Sequence, residues 1–165
     1  MDPIRELLRY QTWASLKLLD HCATVDDKLL DKAIAGTFGS IRETLGHMLE
    51  QEGWGLLQLG AELRPPEGVG FERIRMLMVD HGEAWESVLE RLPELEARAL
   101  PEPPDFENPI PHFAVMYMLQ TIHHLELHRT HIRATLDTLG VPVPGVDSTD
   151  LWAFWAERHG AELPA

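Results

Sequence analysis

The sequence predicts an all-α protein, an antiparallel four-helix bundle with a short C-terminal helix. Three observations lead there. Apolar residues recur at helical spacing over four long stretches. No segment alternates apolar and polar residues between turn pairs, as a strand would. Glycine and proline gather between the stretches, where they punctuate helices. At 165 residues the chain corresponds to one domain of about 150 residues. Residues 1–165 therefore read as a single unit, with the tail 141–165 packing on it.

The first stretch, Ile4 to Cys22, carries Leu7, Leu8, Trp13, Leu16 and Leu19 on one face. Asp2 suits the N-cap, and Pro3 the first helical position. Thr24 to Lys32 holds room for another helical turn, and Gly36 and Gly39 mark a loop. Ser40-Ile41-Arg42-Glu43 has the form of a capping box. The helix it opens carries Ile41, Leu45, Met48, Glu52, Leu56 and Leu59 and ends near Gly60. Arg64 to Gly70 is a Pro/Gly connector. The third helix is expected from Phe71 to about Arg98, kinked or ended at Pro93. A linker with Pro101, Pro103, Pro104, Pro109 and Pro111 follows. The fourth helix spans His112 to Leu139 and stops at Gly140 and Pro142. Ser148-Thr149-Asp150 caps a last short helix with Leu151, Trp152, Phe154 and Trp155. The two longer connections imply an irregular bundle.

Composition narrows the function. Lys plus Arg is 14 and Asp plus Glu 27, a net charge of −13. Such a chain lacks the basic footprint nucleic acid requires and is repelled by anionic membranes. Small molecules, metal ions and protein partners remain. The single cysteine, Cys22, rules out an internal disulfide framework and reads as a small core residue. No apolar run follows the N-terminal charges and no 18-residue apolar segment exists, so neither a signal peptide nor a membrane span is expected. The expected compartment is the cytoplasm.

Nine histidines are unusual, and five of them (His112, His123, His124, His128 and His131) fall within twenty residues. His124 and His128 stand at i, i+4, about 40° apart on the helix, and can share one divalent ion. A third ligand must come from another helix, where His21, His47 and His81 are the candidates. His47 is the best placed, low on the well-capped second helix and near Trp54. The helical wheel sets it, like His124 and His128, to the side of the apolar stripe. The site is thus expected in a groove at the edge of the bundle, which would leave a coordination position open. A histidine on a helix flank is more often a solvated or hydrogen-bonded residue, and that reading stays open for each residue singly. His123 and His131 read as surface or supporting groups, with His131 on the same side as His128.

These stretches resemble the DinB/YfiT-like family of metal-dependent enzymes over nearly the whole chain. Tyr10 and Trp13-Ala14 stand in the family's tyrosine and tryptophan positions. Gly39-Ser40-Ile41-Arg42-Glu43-Thr44-Leu45-Gly46-His47-Met48-Leu49 is similar to the family's second-helix motif. His123-His124-Leu125-Glu126-Leu127-His128-Arg129-Thr130-His131-Ile132 resembles its pattern N-H-x-x-H-H-R-G-Q-I, and Leu139-Gly140-Val141-Pro142 fits the ending. The resemblance implies a three-histidine site at His47, His124 and His128 for Zn, with Ni or Fe as other options. His123, Leu127, Thr130 and His131 depart from the pattern, so the surroundings of the site differ from the family's.

The resemblance also implies a use. Metal-bound water or a metal-bound thiol would lose its proton near neutral pH. The expected activity is a thiol-dependent S-transferase in which a low-molecular-weight thiol, bacillithiol or mycothiol, attacks a small electrophile. The alternatives are a metal-hydroxide hydrolase, with His131 or Glu52 as general acid or base, and a non-catalytic metal-binding or interaction protein. Glu52 reads either as a buried carboxylate supporting the site or as an exposed residue. Tyr10, Trp13, Tyr117 and Arg129 are candidates to bind a cofactor. Tyr10 and Trp13 read equally as core residues, and Arg129 as a salt-bridge partner. A homodimer is implied by resemblance, with Trp152 and Trp155 free to form its contact or to pack back on the bundle.

Overall fold

The computed structural model describes residues 2–65, 68, 70–96, 100, 113–143 and 149–161. The Pro-rich linker, His112 and Ser148 lie outside them. The described helices are α1 (Pro3–Cys22), α2 (Asp27–Leu30), α3 (Ile41–Gln58), α4 (Gly70–Glu90), α5 (Leu92–Glu96), α6 (Ala114–Thr138) and α7 (Leu151–His159).

Local chemistry accounts for their ends. The Asp2 carboxylate accepts the Ile4 amide at 3.0 Å, and Pro3 opens α1 without losing a hydrogen bond. Ser40 and Glu43 form a reciprocal capping box: the Glu43 amide donates to Ser40 Oγ at 3.2 Å and the Ser40 amide to Glu43 Oε2 at 2.8 Å. At the ends of α3 and α6, Gly60 (φ 71°) and Gly140 (φ 72°) turn left-handed. The next amide then reaches back, Ala61 to Leu56 at 3.0 Å and Val141 to Leu136 at 2.9 Å. α4 ends at Glu90, and Pro93 stands in the first turn of α5, where it cannot continue the hydrogen-bond ladder of α4. Asp26 caps α2 and Asp150 caps α7.

The four long helices form the bundle. α1 packs against α4 and α6, and α3 packs against the same two. Contacts along each pair give the directions. Arg9 bonds Glu86 and Arg75 bonds Asp20, so α1 and α4 run antiparallel. His47 meets His124 while Gly55 faces Thr121 and Tyr117, so α3 and α6 are also antiparallel. By contrast Arg42 lies over Phe71, Glu52 bonds His81, and Arg91 bonds the Gly60 carbonyl, so α3 and α4 run parallel. α1 and α6 run parallel too, since Leu8 clusters with Met118, and Leu18 and Cys22 with Ile132 and Leu136. The bundle is therefore two antiparallel pairs in up-down-down-up order. This order requires the connection between α3 and α4 to cross the length of the bundle, which accounts for its length.

The core of the four long helices divides into two apolar clusters, and a third lies between α1 and the tail. One holds Leu8, Leu56, Leu59, Trp85, Val88 and Met118; the other Leu18, Leu19, Leu45, Met48, Met78, Leu125 and Ile132. Each long helix places buried polar residues between its contributions to the two: Gln11 and Ser15 on α1, Glu52 on α3, His81 on α4 and Thr121 on α6. The tail packs back on α1. Phe154 meets Tyr10 edge-on with centroids 6.0 Å apart and Trp13 at 5.6 Å. Trp13 Nε1 donates to Glu157 at 3.1 Å. Trp155 joins this cluster, whereas Trp152 is 75% exposed. Among the described residues no helix is long and apolar enough to cross a membrane.

Candidate metal centre

The antiparallel packing of α3 on α6 brings His47 against His124 and His128. One ring nitrogen from each lies within 4.8 Å of the others. The Nε2 atoms of His47 and His124 are 3.1 Å apart. Ring centroids are separated by 4.9 Å for His47–His124, 4.9 Å for His47–His128 and 4.3 Å for His124–His128. His128 is buried, and His47 and His124 are half-buried. As the wheel indicated, the cluster sits at the edge of the bundle rather than in its central layer.

The electrostatics suit metal ligation. Burial, and then the neighbouring His124, His47 and His131 rings, push the His128 imidazole down to about 4. Burial, followed by His47 and His123, also lowers His124. Both rings are thus neutral at pH 7, the form that binds metal. His128 Nδ1 is buried with no hydrogen-bond partner among the described residues. Two nitrogens bound to one tetrahedral ion at about 2.0–2.1 Å would be about 3.3 Å apart, close to the observed 3.1 Å. The three-histidine group fits a single divalent ion.

A small cleft of about 50 Å³, partly open to solvent, adjoins His124 between α3 and α6. Gln51, Trp54, Tyr117, Gln120 and Thr121 line it, with Glu52 at its inner wall. Trp54 and Tyr117 are in ring contact at 5.7 Å. No lysine or arginine lines this cleft among the described residues.

The other expected site residues divide into two groups. Tyr117 borders the cleft, and His131 meets His128 edge-on at 5.4 Å, its Nδ1 buried without a hydrogen-bond partner among the described residues. Glu52 is buried, not exposed, and both its oxygens are engaged by residues outside the histidine cluster. Trp85 Nε1 donates to Oε1 at 2.9 Å and His81 Nδ1 lies 3.1 Å from Oε2. His81 is thereby committed to Glu52 and stays out of the histidine cluster. Tyr10, Trp13 and Arg129 lie elsewhere, between α1, α6 and α7. Arg129 is wholly buried; it donates to the Gln11 carbonyl at 3.3 Å and to Ser15 Oγ at 3.1 Å, bonds Glu126, and lies 5.5 Å from the Tyr10 ring. Tyr10 donates to the Thr149 carbonyl at 3.2 Å. These three fasten α6 and the tail to α1, because consecutive positions such as His128 and Arg129 point about 100° apart on a helix.

Phe38 and Trp85 escape a reading of the sequence, which singles out His81 only as a candidate ligand. Phe38, in the loop before α3, stacks on His47 with centroids 4.2 Å apart and planes at 17°, and meets His128 edge-on at 5.0 Å. Its one signal was an aromatic residue between two glycines just before the helix that carries a ligand. Trp85, which with His81 holds Glu52, has no signal beyond its helical phase.

The fold is a helical bundle in which two helices present three imidazoles that could hold one metal ion. Residues 1–159 match the DinB family, and the chain belongs to that family. The fold is similar to the crystal structure of a DinB-like protein from Bacillus cereus ATCC 10987. The TM-score is 0.62 with 20% sequence identity, over 83% of this chain and 91% of that one. A comparison with curated proteins gives no match.

Proposed function

We propose that this chain is a divalent-metal-dependent enzyme that joins a low-molecular-weight thiol to a small electrophile. The observation that carries the reading is the pairing of three clustered imidazoles with a cleft that reaches one of them from solvent. A divalent ion held by His47, His124 and His128 keeps its full charge and supplies a Lewis acid that promotes loss of a proton from a thiol or from water.

The chain's own residues supply the rest. His124 stands at the boundary between ligand set and cleft. The Gln51 and Gln120 amides and the Thr121 hydroxyl offer neutral hydrogen bonds, and Trp54 and Tyr117 offer ring faces. A cleft with no cation, an acidic residue at its wall and a net charge of −13 around it favours an uncharged, hydroxyl-rich thiol over a polyanionic one. Hydrolysis is less well supported, since both oxygens of Glu52 are occupied by Trp85 and His81.

The test is metal content by plasma mass spectrometry on tag-free protein, beside His47→Ala, His124→Ala and His128→Ala. About one ion per chain in the wild type, lost in each variant, is the expected result. The metal-loaded protein is then offered mycothiol, bacillithiol or glutathione with an activated aryl halide. Absence of metal after exposure to Zn and Ni refutes the metal reading. Metal without thiol consumption refutes thiol transfer alone.

A further inference from the structure

The cluster is not symmetric along the bundle axis. The α3 residues that line the cleft, Gln51 to Gly55, follow His47 in the chain. The α6 residues, Tyr117 to Thr121, precede His124. Because the two helices are antiparallel, both sets lie toward the same end of the groove. Phe38 stands at the opposite end, ahead of α3, and touches His128, the ligand furthest along α6.

Phe38 is held there by a small closed turn. Ala33 and Ser40 form an antiparallel bridge. The Thr37 amide and hydroxyl both donate to the Ile34 carbonyl, at 3.3 and 2.9 Å. Gly36 supplies the left-handed residue, at φ 91°. The Phe38 side chain belongs to none of the core clusters and is 48% exposed. A large ring left half in water, stacked on one imidazole of the cluster and edge-on to another, is placed for the cluster and not for the core.

We infer that Phe38 is a positioning residue that caps the three-histidine site: it fixes the His47 and His128 rings and closes the groove at the end away from the cleft. An ion held by His47, His124 and His128 would then be reached by exchanging ligands from the cleft side. Substrate selection is thereby confined to the cleft, and an invading chelator has one route instead of two. This inference rests on metal binding by the three histidines.

The test loads wild type, Phe38→Ala, Phe38→Leu and Phe38→Tyr with Co²⁺ and follows release to excess EDTA together with the visible spectrum. Phe38→Ala should lose metal about tenfold faster, from loss of two ring contacts and of shielding. Its visible absorption should weaken as an additional water enters the coordination sphere. Phe38→Tyr should match the wild type and Phe38→Leu should fall between. Since Phe38 lies outside the core, circular dichroism of each variant should be unchanged; if Phe38→Ala is misfolded, Phe38→Leu alone decides. Equal release rates across folded variants overturn the cap while leaving the metal site standing. A wild type that binds no Co²⁺ overturns both.

Discussion

The metal-free protein should carry an acid sensitivity traceable to one residue. His128 titrates near 4 in the folded chain, because burial and three neighbouring imidazoles oppose its charge. In the unfolded chain it returns to about 6.5. The folded value lies below the unfolded one, so between these values the unfolded state binds more protons. Stability from this group is complete above about pH 6.5 and is lost as pH falls toward 4. Integrating the difference between pH 7 and pH 4.5 gives a loss of about 2 kcal/mol from His128 alone. The perturbation is His128→Gln, which fills the site with a polar side chain that does not titrate. Urea unfolding of the metal-free proteins at pH 7 and pH 4.5, followed by circular dichroism, measures each change. Taking the difference between pH values cancels the intrinsic cost of the substitution. The wild type should lose about 2 kcal/mol more than the variant over this interval. Equal losses would mean that the His128 environment accepts a proton readily, and the account of a neutral, buried ligand would fail.

Three other outcomes are expected. A methyl group on Gly82 would sit 2.8 Å from Thr12 Cγ2, where α1 crosses α4. Gly82→Ala should therefore destabilise by about 1–3 kcal/mol despite its better helix propensity, and Thr12→Ser in the same chain should recover much of the loss in thermal melts. Glu52→Leu leaves Trp85 Nε1 and His81 buried without their acceptor and should cost about 3 kcal/mol in urea unfolding; Glu52→Gln, which keeps an oxygen for one of them, should cost less. Cys22 is fully buried and burial pushes its thiol up to about 12, so Ellman's reagent at pH 8 should modify it only at the rate of unfolding; rapid labelling of the folded chain would contradict the packing.

Much of the fold was written locally. Asp2-Pro3, Ser40-x-x-Glu43, Gly60, Pro93 and Gly140 mark helix ends by chemistry that acts within a few residues, and each acts as expected. The predicted groove position of the histidines also held, because the wheel depends only on helical period. Helix direction around the bundle was less legible. Caps and periodicity are indifferent to whether neighbours run parallel, and the up-down-down-up order is settled by which apolar faces meet. Arg129 shows the same limit. It follows His128 in a motif-bearing stretch, yet its guanidinium is drawn to Ser15 and the Gln11 carbonyl on α1, on a different face of α6.

By itself the sequence determined the helices, the acidic surface charge and the pairing of His124 with His128, since a spacing of four residues on one helix places two rings on one face whatever surrounds them. The addition of His47 could be named by resemblance, but its approach to 3.1 Å from His124 depends on the antiparallel contact of α3 with α6. Only the tertiary structure decided that Glu52 is bound by His81 and Trp85, that Tyr10 and Trp13 hold the tail while Arg129 joins α6 to α1, and that Phe38 stacks on His47. Those contacts join residues far apart in the chain or on different elements. No periodicity records them, because side-chain partners across helices are chosen by packing after the helices have formed.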